Sequence, residues 1–327
     1  MNPDEGRLRI DAHVHLMAAD QPKHKCLISP KRRRSLTAWY LARAAGVGMR
    51  VSDEVFDIAY ADHLANLVRG ARFLDKALVF GMDGLYDSSG MLDPRTEALV
   101  SNDWAMEVTR RHPDVFIFGA SIHPARPDAL EELDRCAEAG AVCVKWVPPS
   151  MGMDPGDKRY TPFYARMKEL DLVLTSHTGY EHSVFVVDQS LGDPDRLRLP
   201  LEMGLTVVAG HAGTSGFYHQ VEYFGNMVRV CQEYQNLYAD TSAIANPVRF
   251  TYREMLLQPP LVDRLIQGTD YPVPPTPILW LAAIGPLEAA RIQATRNPFD
   301  RDYLGKVASG FPLEQFYRGA DVFRVSA

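Results

Sequence analysis

The sequence has few cysteines and no long apolar run. Its 327 residues include only four cysteines, which form no C-x-x-C pair and show no regular spacing. This usage is typical of reduced, buried thiols, and we expect none of the four to act as a nucleophile. The longest apolar run, residues 278–284, falls far short of the roughly 20 residues that span a bilayer. We therefore expect no membrane partner.

The chain also lacks a basic excess. Its formal net charge is -6, whereas nucleic-acid-binding proteins usually carry a positive surface, so nucleic acid is not the expected partner. Hydrophobic residues make up 46% and charged residues 23% of the sequence, as in ordinary globular proteins. The polar segment 1–7 lacks the apolar core of a signal peptide. We expect a cytoplasmic protein that acts on a small molecule, and whether it forms a homo-oligomer stays open.

Eight short apolar segments alternate with helical patterns along the chain. They read as continuous apolar runs, which is typical of parallel strands buried on both faces. We therefore predict an α/β fold, a single (β/α)8 TIM-barrel domain over residues 1–327 with a long irregular loop at 17–50 and extra C-terminal helices. A doubly wound sheet is the alternative. The predicted strands are 9–16, 77–82, 115–122, 141–147, 172–176, 205–209, 237–239 and 265–266.

Helical patterns fill the intervals between these strands. They cover 52–69, 104–111, 127–139, a segment that begins at Thr161, a segment before Gly204, and 217–233. The segment after Pro277 is expected to pack on the barrel as further helices. Its expected anchors are aromatic: Tyr303, Phe311, Phe316 and Tyr317.

Side chains of the types found in metal sites lie at the ends of these strands. His13 and His15 are two residues apart on the first segment, so a strand would project both from the same face. Further polar side chains follow later strands. In a barrel the carboxyl ends of all strands converge on one face, where active sites lie. The later residues of this set are Lys145, His177, His211 and Asp270.

This order of residues resembles the amidohydrolase superfamily, and within it the amidohydrolase-related branch, amidohydrolase 2. The resemblance rests on the phrases Ile-Asp-Ala-His-Val-His, Ser-His-Thr-Gly, Gly-His-Ala-Gly and Gly-Thr-Asp-Tyr-Pro, and it extends over residues 10–272. Two features depart from the pattern. The segment after Lys145 reads Trp-Val-Pro-Pro where many relatives have His or Asn before the proline, and the basic segment after the first strand has no counterpart. Both departures concern the substrate.

The resemblance implies a divalent metal, expected to be Zn²⁺, as one or two ions. His13, His15, His177 and Asp270 would supply nitrogen and carboxylate ligands, which suit Zn²⁺ and leave a position open for water. A bound cation lowers the pKa of its water to about 7. Lys145 would join as a bridging ligand if it is carboxylated by CO₂, and His211 would join if the centre holds two metals.

The expected catalytic residues are Asp270 and His211. Asp270 can contact metal and water together, so it is the expected general base. His211 would polarise a substrate carbonyl or bind a second metal, and a structural role is the alternative. An uncarboxylated Lys145 would bind a substrate carboxylate. Asp240, after the seventh strand, would orient a ligand or cap the loop that follows.

Two more positions are candidates for substrate binding. His123 follows the third strand and would line the pocket or cap its own loop. Arg33 belongs to the basic run 31–34 in a loop that would cover the site and steer an anionic substrate, although solvated charge runs are common. His182 is expected beside the site or at the surface. Ordinary surface positions are expected for the remaining histidines, His24, His63, His112 and His219.

Three functions follow from this reading. The leading one is metal-dependent hydrolysis of an ester, lactone or amide bond in a small, carboxylated substrate. The second is a lyase, a metal-dependent decarboxylase of aromatic or unsaturated acids, because the same branch includes such enzymes. The third is a barrel that binds ligands without catalysis, which would require a lost ligand residue, and none of the six is missing.

Overall fold

The computed structural model describes residues 6–44, 46, 52–216 and 223–326, and in them eight parallel strands form one sheet. All eight predicted strands are present, and none of their ends is shifted by more than two residues. Because the strands are apolar on both faces, one face packs inside the barrel and the other against helices. The strands are β1 Ile10–His15, β2 Lys76–Phe80, β3 Phe116–Ala120, β4 Cys143–Trp146, β5 Val173–His177, β6 Val207–Gly210, β7 Leu237–Asp240 and β8 Leu265–Ile266.

The sheet closes on itself in chain order. Each strand pairs in parallel with the next, from β1 to β8. The last step is made by backbone hydrogen bonds: Ala12 N donates to Gln267 O at 2.9 Å and His15 N donates to Tyr271 O at 2.8 Å. The fold is therefore a TIM barrel, as the sequence predicts, and the doubly wound alternative is excluded. The carboxyl ends of β1 and β8 lie side by side.

Helices surround this barrel and follow its strands. Six of the longer ones, between the strands or after the last, are Asp53–Arg69, Asn102–Arg111, Ala129–Glu138, Thr161–Glu169, Phe224–Glu233 and Pro298–Ala308. The other α-helices are Gln21–His24, Pro30–Arg33, Leu36–Ala44, Pro148–Met151, Arg198–Glu202, Arg253–Leu256, Leu281–Ile284, Pro286–Gln293 and Gln315–Val322. Single 3₁₀ turns span Lys158–Tyr160, Gln189–Gly192, Pro194–Leu197, His211–Gly213, Phe250–Tyr252, Val262–Arg264 and Pro277–Trp280. No helix of the described segments is long and apolar enough to cross a membrane.

The loop after β1 is more ordered than the sequence suggests. The expectation of an irregular segment over 17–50 is wrong for its described part, which holds three helices between residues 21 and 44 and a two-residue strand, Leu27–Ile28, paired with Ala98–Leu99. Asp20 and Ser29 each cap a four-residue helix that has a proline at its first or second position. Residues 45 and 47–50 lie outside the described segments, as do the first six residues of the predicted helix 217–233 and, with them, His219.

A buried Asp–His pair holds this loop to the barrel. Asp57, fully buried on helix Asp53–Arg69, accepts hydrogen bonds from Ala19 N at 2.6 Å and from His24 Nδ1 at 2.7 Å. His24 also stacks on Trp104, with 3.9 Å between the ring centroids. The expectation that His24 lies at the surface is therefore wrong, because its polar partner comes from a helix 33 residues away.

The C-terminal helix closes the other end of the barrel. Helix Gln315–Val322 packs against β1 and β8, and its Gly319 lies directly on Ile10 and Ile266. Phe311 and Phe316 are buried, and Tyr303 stacks between Phe73 and Phe316, as expected of the tail anchors. Tyr317 contacts the Arg7 guanidinium. With this end filled by apolar side chains, the ends of the strands that carry the histidines form the accessible face.

Candidate metal centre

Three of the predicted ligands meet at the ends of β1 and β8. His13 Nε2 lies 3.2 Å from His15 Nε2, and Asp270 Oδ1 lies 3.1 Å from His15 Nε2 and 3.5 Å from His13 Nε2. One ligand atom of each residue lies within 4.8 Å of the other two, a spacing that could hold a metal ion. His13 is completely buried and Asp270 is nearly so. Because β1 and β8 are the strands that close the barrel, residues 257 positions apart become neighbours, as the hydrogen bond from Asp270 N to His13 O at 2.9 Å shows.

The backbone at this point is irregular. A shift of register between Asp11 and Val14 interrupts the pairing of β1 with β2. Asp11 Oδ1 accepts from His13 N at 3.1 Å and from Thr269 N at 3.0 Å, so this carboxyl joins β1 to the segment that carries Asp270. Burial raises the pKa of Asp11 to about 7. Asp270 itself has a positive φ of 67°, a conformation that costs a non-glycine residue about 1–2 kcal/mol and is concentrated at functional sites.

Asp240 at the end of β7 orients the first histidine. Its Oδ2 lies 2.6 Å from His13 Nδ1, and its Oδ1 accepts from His211 N at 2.9 Å and from Ser242 N at 3.1 Å. Burial alone would raise the pKa of Asp240, but the adjacent His13 outweighs it and holds this pKa below its usual range. An ionised Asp240 accepts the Nδ1 proton of His13, and the Nε2 lone pair then faces Asp270. Both readings of Asp240, orienting residue and loop cap, are thus combined in one carboxylate.

Lys145 reaches the same centre from β4. Its Nζ lies 2.9 Å from His13 Nε2, and the side chain is buried. Burial lowers the pKa of Lys145, although Asp240 and Asp270 oppose the shift. A neutral amine can donate a hydrogen bond to the imidazole lone pair, and it is also the form of lysine that reacts with CO₂.

His211 and His177 extend the cluster along β6 and β5. The ring centroids of His13 and His211 are 4.9 Å apart, and those of His211 and His177 are 4.6 Å apart. His211 Nδ1 lies 2.7 Å from Ser242 Oγ and 3.2 Å from Ser242 O. His177 Nδ1 lies 3.4 Å from Glu181 Oε2, whereas its buried Nε2 has no partner among the described residues. Burial, and then the charge of Arg249, hold the pKa of both histidines well below the usual value, so both are neutral.

The structure places two of the predicted substrate contacts elsewhere. His123 is buried, but its Nδ1 accepts from Ala125 N at 3.0 Å and its Nε2 lies 3.1 Å from Met151 O, so it caps its own loop and does not line the pocket. Arg33 pairs with Asp53 at 2.8 Å, and its neighbour Arg32 lines the pocket instead. Arg32 faces the pocket and Arg33 does not because adjacent residues of helix Pro30–Arg33 point about 100° apart.

A pocket opens above the cluster at the carboxyl ends of the strands. His15, Lys145, His177, His211 and Asp270 line its floor. Arg32 of the basic run and His182 also line it, as do two charged residues that the sequence did not single out, Glu181 and Arg249. No local pattern marks these residues, because they lie in loops whose course the strand pattern does not define. Its apolar walls include Leu16, Met17, Ile28, Met82, Val100, Val147, Val184, Pro272 and Val273.

The cysteines lie apart from this chemistry. All four are buried and unpaired by disulfides, and none lines the pocket. Burial raises the pKa of the Cys26 and Cys143 thiols to about 12 and that of Cys231 to about 11. They therefore remain protonated thiols at neutral pH, as expected for residues that are not nucleophiles.

The donor set fits a divalent metal. Two imidazole nitrogens and one carboxylate oxygen converge at His13, His15 and Asp270, which is the ligand chemistry of catalytic zinc and related sites. The unpartnered Nε2 of His177 is a further donor, since a buried polar atom without a partner is rare in native proteins. His177 lies outside the group of three that shares a common centre.

Comparisons with solved structures identify the same architecture. The chain is similar to an uncharacterised TIM-barrel protein from Bordetella bronchiseptica (18% identity, TM-score 0.55, covering 90% of this chain and 99% of that one). It is also similar to a protein from Pseudomonas putida assigned as a 2-pyrone-4,6-dicarboxylic acid hydrolase (15%, 0.51, 94% and 98%). A third is a 5-carboxyvanillate decarboxylase from Novosphingobium aromaticivorans with bound manganese (15%, 0.52, 98% and 99%). At these identities the likeness establishes the TIM-barrel fold. No curated protein matches the sequence.

A family model that covers most of the chain identifies the family. Residues 10–290 match the family model Amidohydro_2, described as Amidohydrolase. The chain therefore belongs to the amidohydrolase family, a family of metal-dependent enzymes that act on small substrates.

Proposed function

We propose that this protein is a metal-dependent hydrolase that cleaves an ester, lactone or amide bond in a small carboxylated substrate. The observation that carries the proposal is the convergence of His13 Nε2, His15 Nε2 and Asp270 Oδ1 at the floor of a pocket. His13, His15 and Asp270 would hold the metal, and His177 would add a ligand. Zn²⁺ is the expected ion, and the manganese bound by one structural relative makes Mn²⁺ an alternative to measure.

The protein groups around the centre divide the work of hydrolysis. A bound divalent cation would polarise a carbonyl oxygen and make water acidic at neutral pH. Asp270 is the proposed general base, since burial is outweighed by the hydrogen bond from His15 and by the positive charge of Arg249, which help to keep its pKa low and the carboxylate ionised. Asp270 would then pass the proton to the leaving group.

The hydrogen bonds of His211 favour one of its two expected roles. Ser242 O can only accept, so the contact with His211 Nδ1 requires the proton on Nδ1. The neutral ring then presents the lone pair of Nε2, which can bind a metal but cannot donate to a carbonyl oxygen. We therefore propose His211 as the ligand of a second ion, with carboxylated Lys145 between the two, and metal stoichiometry decides whether one or two ions bind.

Decarboxylation of an aromatic or unsaturated acid is the second candidate. Its support is the apolar wall of the pocket, because an environment that solvates a carboxylate poorly favours loss of CO₂. In this reaction Asp270 or a neighbouring histidine would first take a proton from solvent or from the substrate and then deliver it to the carbon that loses CO₂, and no water oxygen would enter the product.

One experiment separates the two reactions and tests the centre. The purified protein is analysed for bound metal and incubated in ¹⁸O-water with a panel of lactones, esters and amides of small carboxylic acids and with the free aromatic acids. Hydrolysis places one ¹⁸O atom in the product acid, whereas decarboxylation releases CO₂ without incorporation.

Asp270→Asn is expected to lower turnover by about 10²–10⁴-fold with the fold retained, as for loss of a general base. The exposed Asp263→Asn serves as the control and should behave as wild type. Full activity in chelated, metal-free protein would contradict both candidate reactions, and full activity of Asp270→Asn would contradict the role of Asp270.

A further inference from the structure

Arg249 is a buried cation in the pocket that the proposed chemistry does not use. It follows β7 and precedes the 3₁₀ turn Phe250–Tyr252, and only 7% of its surface is exposed. Its Nη2 donates to Tyr180 O at 2.9 Å, but its Nε has no hydrogen-bond partner among the described residues. A guanidinium carries five N–H donors in a planar fork, so this one retains donors for a ligand.

The surroundings do not neutralise Arg249. Its strongest attractions are to Asp270 and Glu181, yet neither forms an ion pair with it in the described segments. One oxygen of each carboxylate is engaged elsewhere: Asp270 Oδ1 lies at the imidazoles, and Glu181 Oε1 accepts from Val184 N at 3.1 Å. A divalent cation beside Asp270 would add further positive charge. An isolated buried charge is costly, so the arrangement favours an incoming anion.

Three features of the pocket define the rest of the ligand. Its walls are mostly apolar, with Met17, Ile28, Met82 and Val100 among them. The proposed metal ligands form part of its floor. Arg32, a second guanidinium without a hydrogen bond or ion pair from its side chain to the described residues, also lines the pocket and adds positive potential that attracts anions.

We propose that the Arg249 guanidinium anchors the carboxylate of a substrate whose apolar, ring-sized body lies along the pocket wall. This inference rests on the proposed function and deepens it, because it names the residue that holds the anionic group and the class of acid that fits. Arg249 then takes the carboxylate-binding part that the sequence suggested for an uncarboxylated Lys145, and it attracts the anion that the sequence expected Arg33 to steer. A planar carboxylate matches the planar fork, and charge-assisted hydrogen bonds of this kind are about twice as strong as neutral ones.

The test measures binding without turnover. Metal-free, chelator-treated protein is titrated with benzoate and with its neutral analogue benzamide, and dissociation constants are measured by ligand-observed NMR or calorimetry. We expect wild type to prefer benzoate. Arg249→Met should raise the dissociation constant for benzoate by at least about tenfold and change that for benzamide by less than about twofold. Arg249→Lys keeps the positive charge but loses the planar fork of N–H donors. Its affinity for benzoate should therefore lie between those of wild type and Arg249→Met.

Arg33→Met is the matched control, since Arg33 pairs with Asp53 outside the pocket, and it should bind both probes as wild type does. Three results would overturn the proposal: no preference of the wild type for benzoate, unchanged benzoate binding in Arg249→Met, or equal loss of both probes in that variant, which would make Arg249 a structural residue. Because the protein is metal-free in this experiment, its outcome is independent of whether the metal-dependent reaction is found.

Discussion

At the scale of single residues, the centre depends on which nitrogen of each imidazole is free. Asp240 holds Nδ1 of His13, Ser242 holds Nδ1 of His211, and Glu181 lies at Nδ1 of His177. For His13 and His211 the acceptor assigns the proton to Nδ1 and leaves the Nε2 lone pair available, and the ring atom of His177 without a partner among the described residues is likewise Nε2. A second layer of acceptors that orients metal-binding histidines is a general feature of metal sites. The histidines alone therefore do not define the centre, since their partners are equally necessary.

Asp240→Asn tests this dependence. The amide cannot reproduce the charge that stabilises the Nδ1–H tautomer of His13, so the affinity for Zn²⁺ should fall by about 10–100-fold, measured by competition with a chromophoric chelator. Ser242→Ala removes the hydrogen bonds of Ser242 Oγ to Asp240 and His211 but leaves the Asp240–His13 hydrogen bond, so its effect should be clearly smaller. Equal affinities for wild type and Asp240→Asn would show that His13 needs no orienting carboxylate.

At the scale of elements, the C-terminal helix Gln315–Val322 covers the end of the barrel opposite the pocket. Gly319 lies so close to β1 and β8 that a Cβ there would be 2.8 Å from Ile10 Cγ1 and 3.1 Å from Ile266 Cγ2. The helix therefore needs glycine at this position despite the cost of about 1 kcal/mol that glycine imposes on a helix interior. Close approach of the helix to β1 and β8 seals the end of the barrel opposite the metal centre.

Substitution of this glycine should separate packing from helix propensity. Gly319→Ala gains up to about 1 kcal/mol of helix propensity, but the added methyl group overpacks the contact with β1 and β8, which typically costs about 1–3 kcal/mol. We therefore expect the free energy of unfolding, measured in urea, to fall by about 1 kcal/mol. Gly225→Ala on helix Phe224–Glu233 is the matched control, because its Cβ would meet nothing within 4 Å. The control should be neutral or stabilising. A stabilised Gly319→Ala variant would contradict the tight contact.

The loop after β1 shows how an element is decided by distant partners. Its helices are short, and a four-residue helix has little stability of its own. Asp57 on the following helix accepts two backbone N–H groups of the loop as well as His24, which fixes the path of the chain beside the pocket. That path places Arg32, and not Arg33, at the pocket.

At the scale of the whole molecule, the candidate metal centre lies where the first and last strands of the barrel meet, which we call the seam. His13 and His15 belong to the first strand, while Asp270 follows the last strand, and few backbone hydrogen bonds join these two ends of the sheet. A metal held by all three would cross-link the seam. Binding to the folded state alone then stabilises the entire barrel.

This coupling predicts a metal-dependent stability. At a free Zn²⁺ concentration 100 times the dissociation constant, the free energy of unfolding should rise by about 2.7 kcal/mol over chelated protein. Asp270→Asn should lose most of this increment, whereas Asp263→Asn should keep it. Amide exchange at Asp270, whose N–H donates to His13 O across the seam, should slow when metal is added. Equal stability with and without metal would contradict a site on the seam.

Much of this molecule follows from the sequence by itself. Eight apolar segments with no alternation imply a parallel sheet, and eight such segments with intervening helices imply a closed barrel, because only closure buries every strand edge. Barrel closure in turn requires that the strand ends converge. For that reason His13, His15 and Asp270 could be predicted as neighbours before any distance was known, although 257 residues separate the first from the last.

Only the tertiary structure decided the rest. The capping role of His123, the burial of His24, the outward position of Arg33 and the buried guanidinium of Arg249 all depend on loops, and a loop has no periodicity that relates its residues to a face. Their positions are determined by contacts with partners far along the chain, such as Asp57 for the first loop and Tyr180 for Arg249. Strand ends are constrained by the geometry of the sheet, whereas loop side chains are constrained by packing and hydrogen bonds that exist only once the barrel has formed.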